Sequence, residues 1–330
     1  MSLKLSSQLA EVTVVPEKGA DILSFVDRRS GVDVLFKTPW GMRTPGPWAR
    51  RGTSEERWIE AYAGGWQLLL PNGGAECVER GATWGFHGEA ALVPWEVVSA
   101  TDASAVLETT LFLTPLRLRR HLSLEGRLLR IEETVSNESP EEIEVMWSHH
   151  PALGAPFLEG GCVLSAGCTS VLADDRFPGT LLAPGSRHDW PYATTALGER
   201  VDLREIPPPG KPRSVLAYLG GFTSGFFAVT NPRLRLGFGL RWPLEMFDKA
   251  WLWQEVHSSS GWPWFRRAYV VAVEPASTIP SQGMAVARAK GEKGVFLAPG
   301  SSHQVLLEAV LFDGAGEVAD IAPGGAVRFA

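Results

Sequence analysis

The sequence predicts an all-β fold of large antiparallel sheets, a sandwich or barrel. Three observations carry this. Apolar and polar residues alternate with a period of two in many segments, as in half-buried strands. Turn-forming glycine and proline, 35 and 24 residues, separate those segments at short intervals. Few windows longer than ten residues show a 3.6-residue apolar period, so helices are expected to be few and short.

In chain order, Ala105 to Leu113 is the first clear strand. Leu116, Leu118, Leu122 and Leu124 then alternate with Arg117, Arg119, His121, Ser123 and Glu125; Gly126 breaks the run, and Leu129, Ile131 and Val135 resume it. Asn137-Glu138-Ser139-Pro140 is a turn signal. Ile143, Val145 and Trp147 alternate again, with Pro151 expected to end regular pairing. Ser214 to Leu219, Gly225 to Thr230, Phe247 to Val256, Ala268 to Val273 and Val305 to Phe312 complete the set. The Pro-rich stretch Ile206 to Pro212 is the best candidate boundary, but strand patterns flank it, so residues 1–330 are expected to form a single domain.

Bulk properties narrow the function. Hydrophobic residues make up 45%, enough for a sizeable core. A net charge of −6, from 31 basic and 37 acidic residues, argues against nucleic acid as a partner. Cys77, Cys162 and Cys168 form neither a disulfide framework nor a Cys-x-x-Cys pair. Neither a signal peptide nor a run of about 18 apolar residues is present, so a cytoplasmic protein away from the membrane is expected.

Three segments carry proton-transfer chemistry. His87 stands between glycines in Gly85-Phe86-His87-Gly88-Glu89-Ala90, near the loop Asn72-Gly73-Gly74. His149 and His150 are adjacent, so on a strand they point to opposite faces. His149 shares a face with Ile143, Val145 and Trp147 and is expected to pack; His150 shares the more polar face and is expected to meet a cleft. Glu274 ends the apolar run Val270, Val271, Val273, where desolvation would raise its pKa into a range that suits a general base. The competing reading of each is structural: a packed histidine, or a glutamate paired with Arg266 or Arg267. Trp251 and Trp253 share a face and, with Trp262 and Trp264, can offer the flat apolar surface that sugar rings stack on. His87, His150 and Glu274 could in principle ligate a metal, but their long spacings do not favour it, and no metal is expected. Phosphate-loop and Gly-x-Ser-x-Gly motifs are missing.

Together these segments resemble the aldose 1-epimerase (galactose mutarotase) family, in particular a bacterial branch of it. The motifs are Gly64-Gly65-Trp66-Gln67, Pro71-Asn72-Gly73-Gly74, His87-Gly88-Glu89-Ala90 to Pro94-Trp95, His149 to Gly154, Trp251 to Glu255, and Glu274-Pro275. They follow in the family's order over roughly residues 15 to 315. The resemblance implies a galactose mutarotase-like β-supersandwich with a sugar cleft on a concave sheet. It implies interconversion of the α and β anomers of an aldose by ring opening, with no cofactor and a small sugar as the partner. Glu274 matches the family's base, His150 its acid, and His87 the second histidine near the ring oxygen. Substrate contacts are expected from Asn72, Arg80, Trp253, Gln254 and Trp264. The sequence departs from better-known mutarotases in lacking an arginine next to Asn72, with Arg80 further on. It also offers Asp174, Asp175 or Asp248 for the family's cleft aspartate without distinguishing among them. Two alternatives follow. One is a hexose-6-phosphate epimerase using Arg43, Arg50, Arg51 or Arg80 as the phosphate site. The other is a carbohydrate-binding protein without turnover. The sequence assigns no oligomeric state.

Overall fold

The computed structural model describes residues 2–43, 52–177 and 179–330. Two large antiparallel sheets dominate it, as expected. The first has eleven strands. At its centre, Trp66–Leu69, Ser148–Gly154, Tyr269–Ala276, Lys249–Val256 and Arg213–Gly220 lie side by side in that order. The second has eight strands, built around Leu236–Arg241, Ser302–Asp313, Leu128–Asn137 and Leu116–Glu125. Long antiparallel runs form because alternate residues can be buried while their neighbours stay wet. Along Leu116–Glu125 every leucine is buried, while Arg117, Arg119 and Glu125 are exposed.

Apolar side chains fill the space between the sheets. Phe25 of the first sheet meets Phe238 of the second edge to face, with ring centroids 6.4 Å apart. The second sheet also sends a charged pair inward: Arg120 and Glu133, directly opposite each other on neighbouring strands, are both buried. The outer face of the first sheet is covered on one side by loops and by helix α1, Ser54–Ala61. Thr53 caps α1 by accepting from the backbone N–H of Glu56, and the Glu56 carboxylate accepts from the Thr53 N–H in return. A second short helix, α2, spans Met284–Ala289.

One expectation fails locally. The strand carrying His149 and His150 does not end at Pro151 but runs to Gly154. Proline removes one N–H donor. That opens the ladder over a short interval while the neighbouring Trp66–Leu69 strand still pairs with Ser148 through Pro151. The segment before it also divides: Ile143–Val145 pairs with Val295–Leu297 in a separate two-stranded ladder.

Candidate active site

Register brings the proton-transfer candidates together. Ser148 pairs with Ala276 and Ala152 with Ala272, so His150 stands opposite Glu274 on the next strand. Between those paired positions, where Pro151 and Pro275 lie, the ladder is open. Opposite residues of an antiparallel pair point to the same face. Glu274 pairs on its other side with Trp251, and Trp253 pairs with Ala272 and Leu216. His150, Glu274, Trp251, Trp253 and Leu216 therefore share one face, and all five line one cavity of about 640 Å³. The other walls come from α1 and Tyr62, from the Gly74–Ala75 and Phe86–His87 segments, and from the loop Ser259 to Trp264.

His150 Nε2 lies 3.6 Å from Glu274 Oε1. The remaining polar atoms of the pair, His150 Nδ1 and Glu274 Oε2, are buried without a hydrogen-bond partner among the described residues. Burial raises the Glu274 carboxyl well above the usual carboxylate range and depresses His150 to about 4. Both shifts favour the neutral form of each group.

His87 is fixed differently. Its backbone is left-handed, at φ 58°. Its Nδ1 accepts a 3.1 Å hydrogen bond from the Gly74 N–H, which leaves the proton of the neutral ring on Nε2. Burial, then the neighbouring His150, hold its pKa well below normal. The ring lies 5.9 Å from that of His150 and stacks over Trp251. Two glycines make this possible. A Cβ on Gly73 would strike the Trp251 ring at 2.4 Å, and one on Gly74 would strike the Ser281 carbonyl oxygen at 1.7 Å.

The aromatic wall forms a continuous series. The His150 and Trp253 rings are 5.7 Å apart, Trp253 and Trp264 5.6 Å, and Trp264 stacks on Trp40 at 5.3 Å. Glu255 ties down the loop that follows Trp253. It accepts from the N–H groups of Ser258 and Ser259 and from the Ser259 hydroxyl.

Three expected substrate contacts are not at the cavity. Asn72 is fully buried: its amide donates to the carbonyls of Ala75 and Gly85, and its oxygen accepts from the Met284 N–H. It is a knot joining the Gly73–Gly74 loop, the His87 segment and α2. Arg80 sits exposed on a hairpin turn and donates to the Glu142 carbonyl. Gln254 lies on the other face from Trp253, buried, with its amide 3.4 Å from the Leu203 carbonyl. Asp174 is taken up by Tyr218, Gln282 and the backbone of Arg176 and Phe177. Asp175 pairs with Lys290, and Asp248 with Lys249. Of the arginines considered for phosphate, Arg43 lines a separate shallow depression, and Arg50 and Arg51 lie outside the described residues.

Sequence reasoning missed Trp58, Tyr62 and Phe86. The signal was there: Thr53-Ser54-Glu55-Glu56 is a capping-box pattern that announces α1. Trp58 lies one turn along that helix, and Tyr62 is its C-cap residue.

The domain-of-unknown-function family DUF4432 has a model that matches residues 2–311, and the chain belongs to that family. No curated protein matches it in sequence. Its fold is shared with solved galactose mutarotase-like proteins. A galactose mutarotase related enzyme from Lactobacillus acidophilus superposes with a TM-score of 0.67 at 15% identity, covering 96% of this chain and 99% of the other. A galactose mutarotase-like protein from Lactobacillus casei gives 0.64 at 15%, covering 94% and 100%. The GalM/aldose epimerase homologue from C. elegans gives 0.65 at 12%, covering 95% and 99%.

Proposed function

We propose that the protein is an aldose 1-epimerase-like isomerase that interconverts the α and β anomers of a sugar by acid–base ring opening. The observation that carries this reading is the buried His150–Glu274 pair. Its two groups face each other at 3.6 Å beside His87 in a tryptophan-walled cavity. In the reaction one member of the pair takes the proton of the anomeric hydroxyl. The electrons of that O–H bond form the C1 carbonyl, and the bond from C1 to the ring oxygen breaks. The ring oxygen keeps that electron pair and takes a proton from the other member. Rotation about C1–C2 and reversal give the other anomer, and the pair again holds one proton. Glu274 as base with His150 as acid is the assignment the family resemblance implies. His87, with its proton held on Nε2, donates to the ring-oxygen region. No step requires a cofactor.

The test is anomer exchange measured by NMR or polarimetry over a panel of free aldoses and glucose 6-phosphate, after subtraction of the spontaneous rate. Glu274→Gln should still bind sugar but lose about 10²–10⁴-fold in turnover, the usual share of general acid–base catalysis. Near wild-type exchange in that variant removes Glu274 from the mechanism.

A further inference from the structure

Helix α1 brings two further polar side chains to the cavity wall. Trp58 and Tyr62 are each 1% exposed. Both line the cavity, and Trp58 Nε1 and the Tyr62 hydroxyl have no hydrogen-bond partner among the described residues. An unmade hydrogen bond in a buried place is costly, and folded proteins keep few of them. Four such atoms gather here, because His150 Nδ1 and Glu274 Oε2 are in the same condition.

The wall is held rigidly. Trp58 and Tyr62 stack at 4.9 Å. The Tyr62 carbonyl accepts from Trp40 Nε1 at 2.8 Å and from the Thr38 hydroxyl at 3.2 Å, and its N–H donates to the Ile59 carbonyl. Trp58 leans on His87 at 4.7 Å, and the Tyr62 ring meets that of His150 edge to face at 5.5 Å. Trp58 therefore stands on the His87 side of the cavity and Tyr62 beside the His150–Glu274 pair. Among the described lining residues the carboxylic acids are Glu55 and Glu274, and none is a lysine or arginine.

We infer that Trp58 and Tyr62 are substrate-binding residues whose indole N–H and phenol O–H donate to two oxygens of an uncharged hydroxylated ring, with Tyr62 on the reacting side. The inference rests on the epimerase reading only in taking a sugar as the ligand. It explains why α1 carries two polar aromatics at buried positions where phenylalanine would pack without an orphaned group.

Tyr62→Phe and Trp58→Phe keep a ring at each site. With D-glucose, D-galactose and D-xylose as probes in calorimetric titrations, Tyr62→Phe should raise the dissociation constant of whichever sugar the wild type binds by about 5–10-fold, the worth of one hydrogen bond. It should melt no lower than wild type, because the orphaned hydroxyl is gone. In ¹⁵N-tryptophan-labelled protein, the indole N–H signal that disappears in Trp58→Phe should shift when that sugar saturates the wild type. Glucose 6-phosphate should bind more weakly than glucose. Unchanged sugar affinity in Tyr62→Phe, a lowered melting temperature in that variant, an unmoved Trp58 signal, or tighter binding of the phosphate each overturns the inference. Sugar binding that depends on Tyr62 without anomer exchange in the wild type upholds it and sinks the epimerase reading. A wild type that binds none of the sugars overturns both.

Discussion

At the scale of single residues, the chemistry of the cavity is set by desolvation more than by charge. Burial is the foremost influence on Glu274, His150 and His87, and in each it favours the neutral form. A one-proton pair has a pH window. Below about 4 both groups are protonated and no base remains. At high pH, once the pair has lost its proton, no acid remains. Turnover per folded molecule should therefore follow a bell, with its acid limb near 4 rather than at the ordinary histidine value, and both apparent constants belong to the pair. The profile is read from anomer exchange between pH 3.5 and 10, with folding followed in parallel. An acid limb centred near 6.5 would mean that His150 is hydrated and titrates normally.

At the scale of elements, the site depends on a few knots that touch no substrate. Asn72 is one. Its amide makes three hydrogen bonds to backbone groups of separate segments. Asn72→Ala should cost about 2–4 kcal/mol, since each bond contributes about 0.5–1.5 kcal/mol and its partners are left buried. It should also disturb His87, which takes its hydrogen bond from Gly74 in the same loop. Arg80→Ala should change stability by no more than about 0.5 kcal/mol, as for an ordinary surface position. Denaturant titration of both variants checks this, and an Asn72→Ala protein as stable as wild type would refute the knot. The contrast shows what the sequence made legible. Strands such as Leu116–Glu125 were readable, because burial on one face leaves a period of two. Trp66–Leu69 was not, because it is wholly buried and only four residues long, too short a run to show as a strand without alternation. Parity alone placed Trp251 and Trp253 together. The same parity sends Gln254 to the opposite face, and only the family motif drew it to the cleft. Asn72 and Glu89 look like site residues in a motif, yet both are spent on backbone: Glu89 accepts from the N–H groups of Phe112 and Leu113. A short motif cannot distinguish a group that holds a loop from one that holds a ligand, because both need a polar residue beside glycine.

At the scale of the whole molecule, one buried chain of polar groups joins the two sheets behind the cavity. Arg120 donates to Glu133 at 2.7 Å and to the Ala20 carbonyl, and its guanidinium lies 5.1 Å over the Trp95 ring. Glu133 Oε2 lies 3.2 Å from His149 Nε2, outside the geometry of a directed hydrogen bond. Trp66 Nε1 donates to His149 Nδ1 at 3.3 Å. So the two adjacent histidines serve different places, His150 the cavity and His149 the inter-sheet core. Burial alone would raise the Glu133 carboxyl, but Arg120 and His149 outweigh it and hold the group at about 2. A folded-state value depressed from 4.5 contributes stability above the unfolded value and loses it as pH falls from 4.5 through about 2. Glu133→Gln leaves Arg120 buried without its counter-charge, which costs about 3–5 kcal/mol. The variant should therefore be clearly less stable than wild type at pH 7, and the difference should shrink as pH falls below 4. Sugar affinity per folded molecule should hold, since Glu133 does not line the cavity. Equal stability at pH 7, or a gap that persists unchanged down to pH 2, would show that the ionised pair does not hold the sheets together.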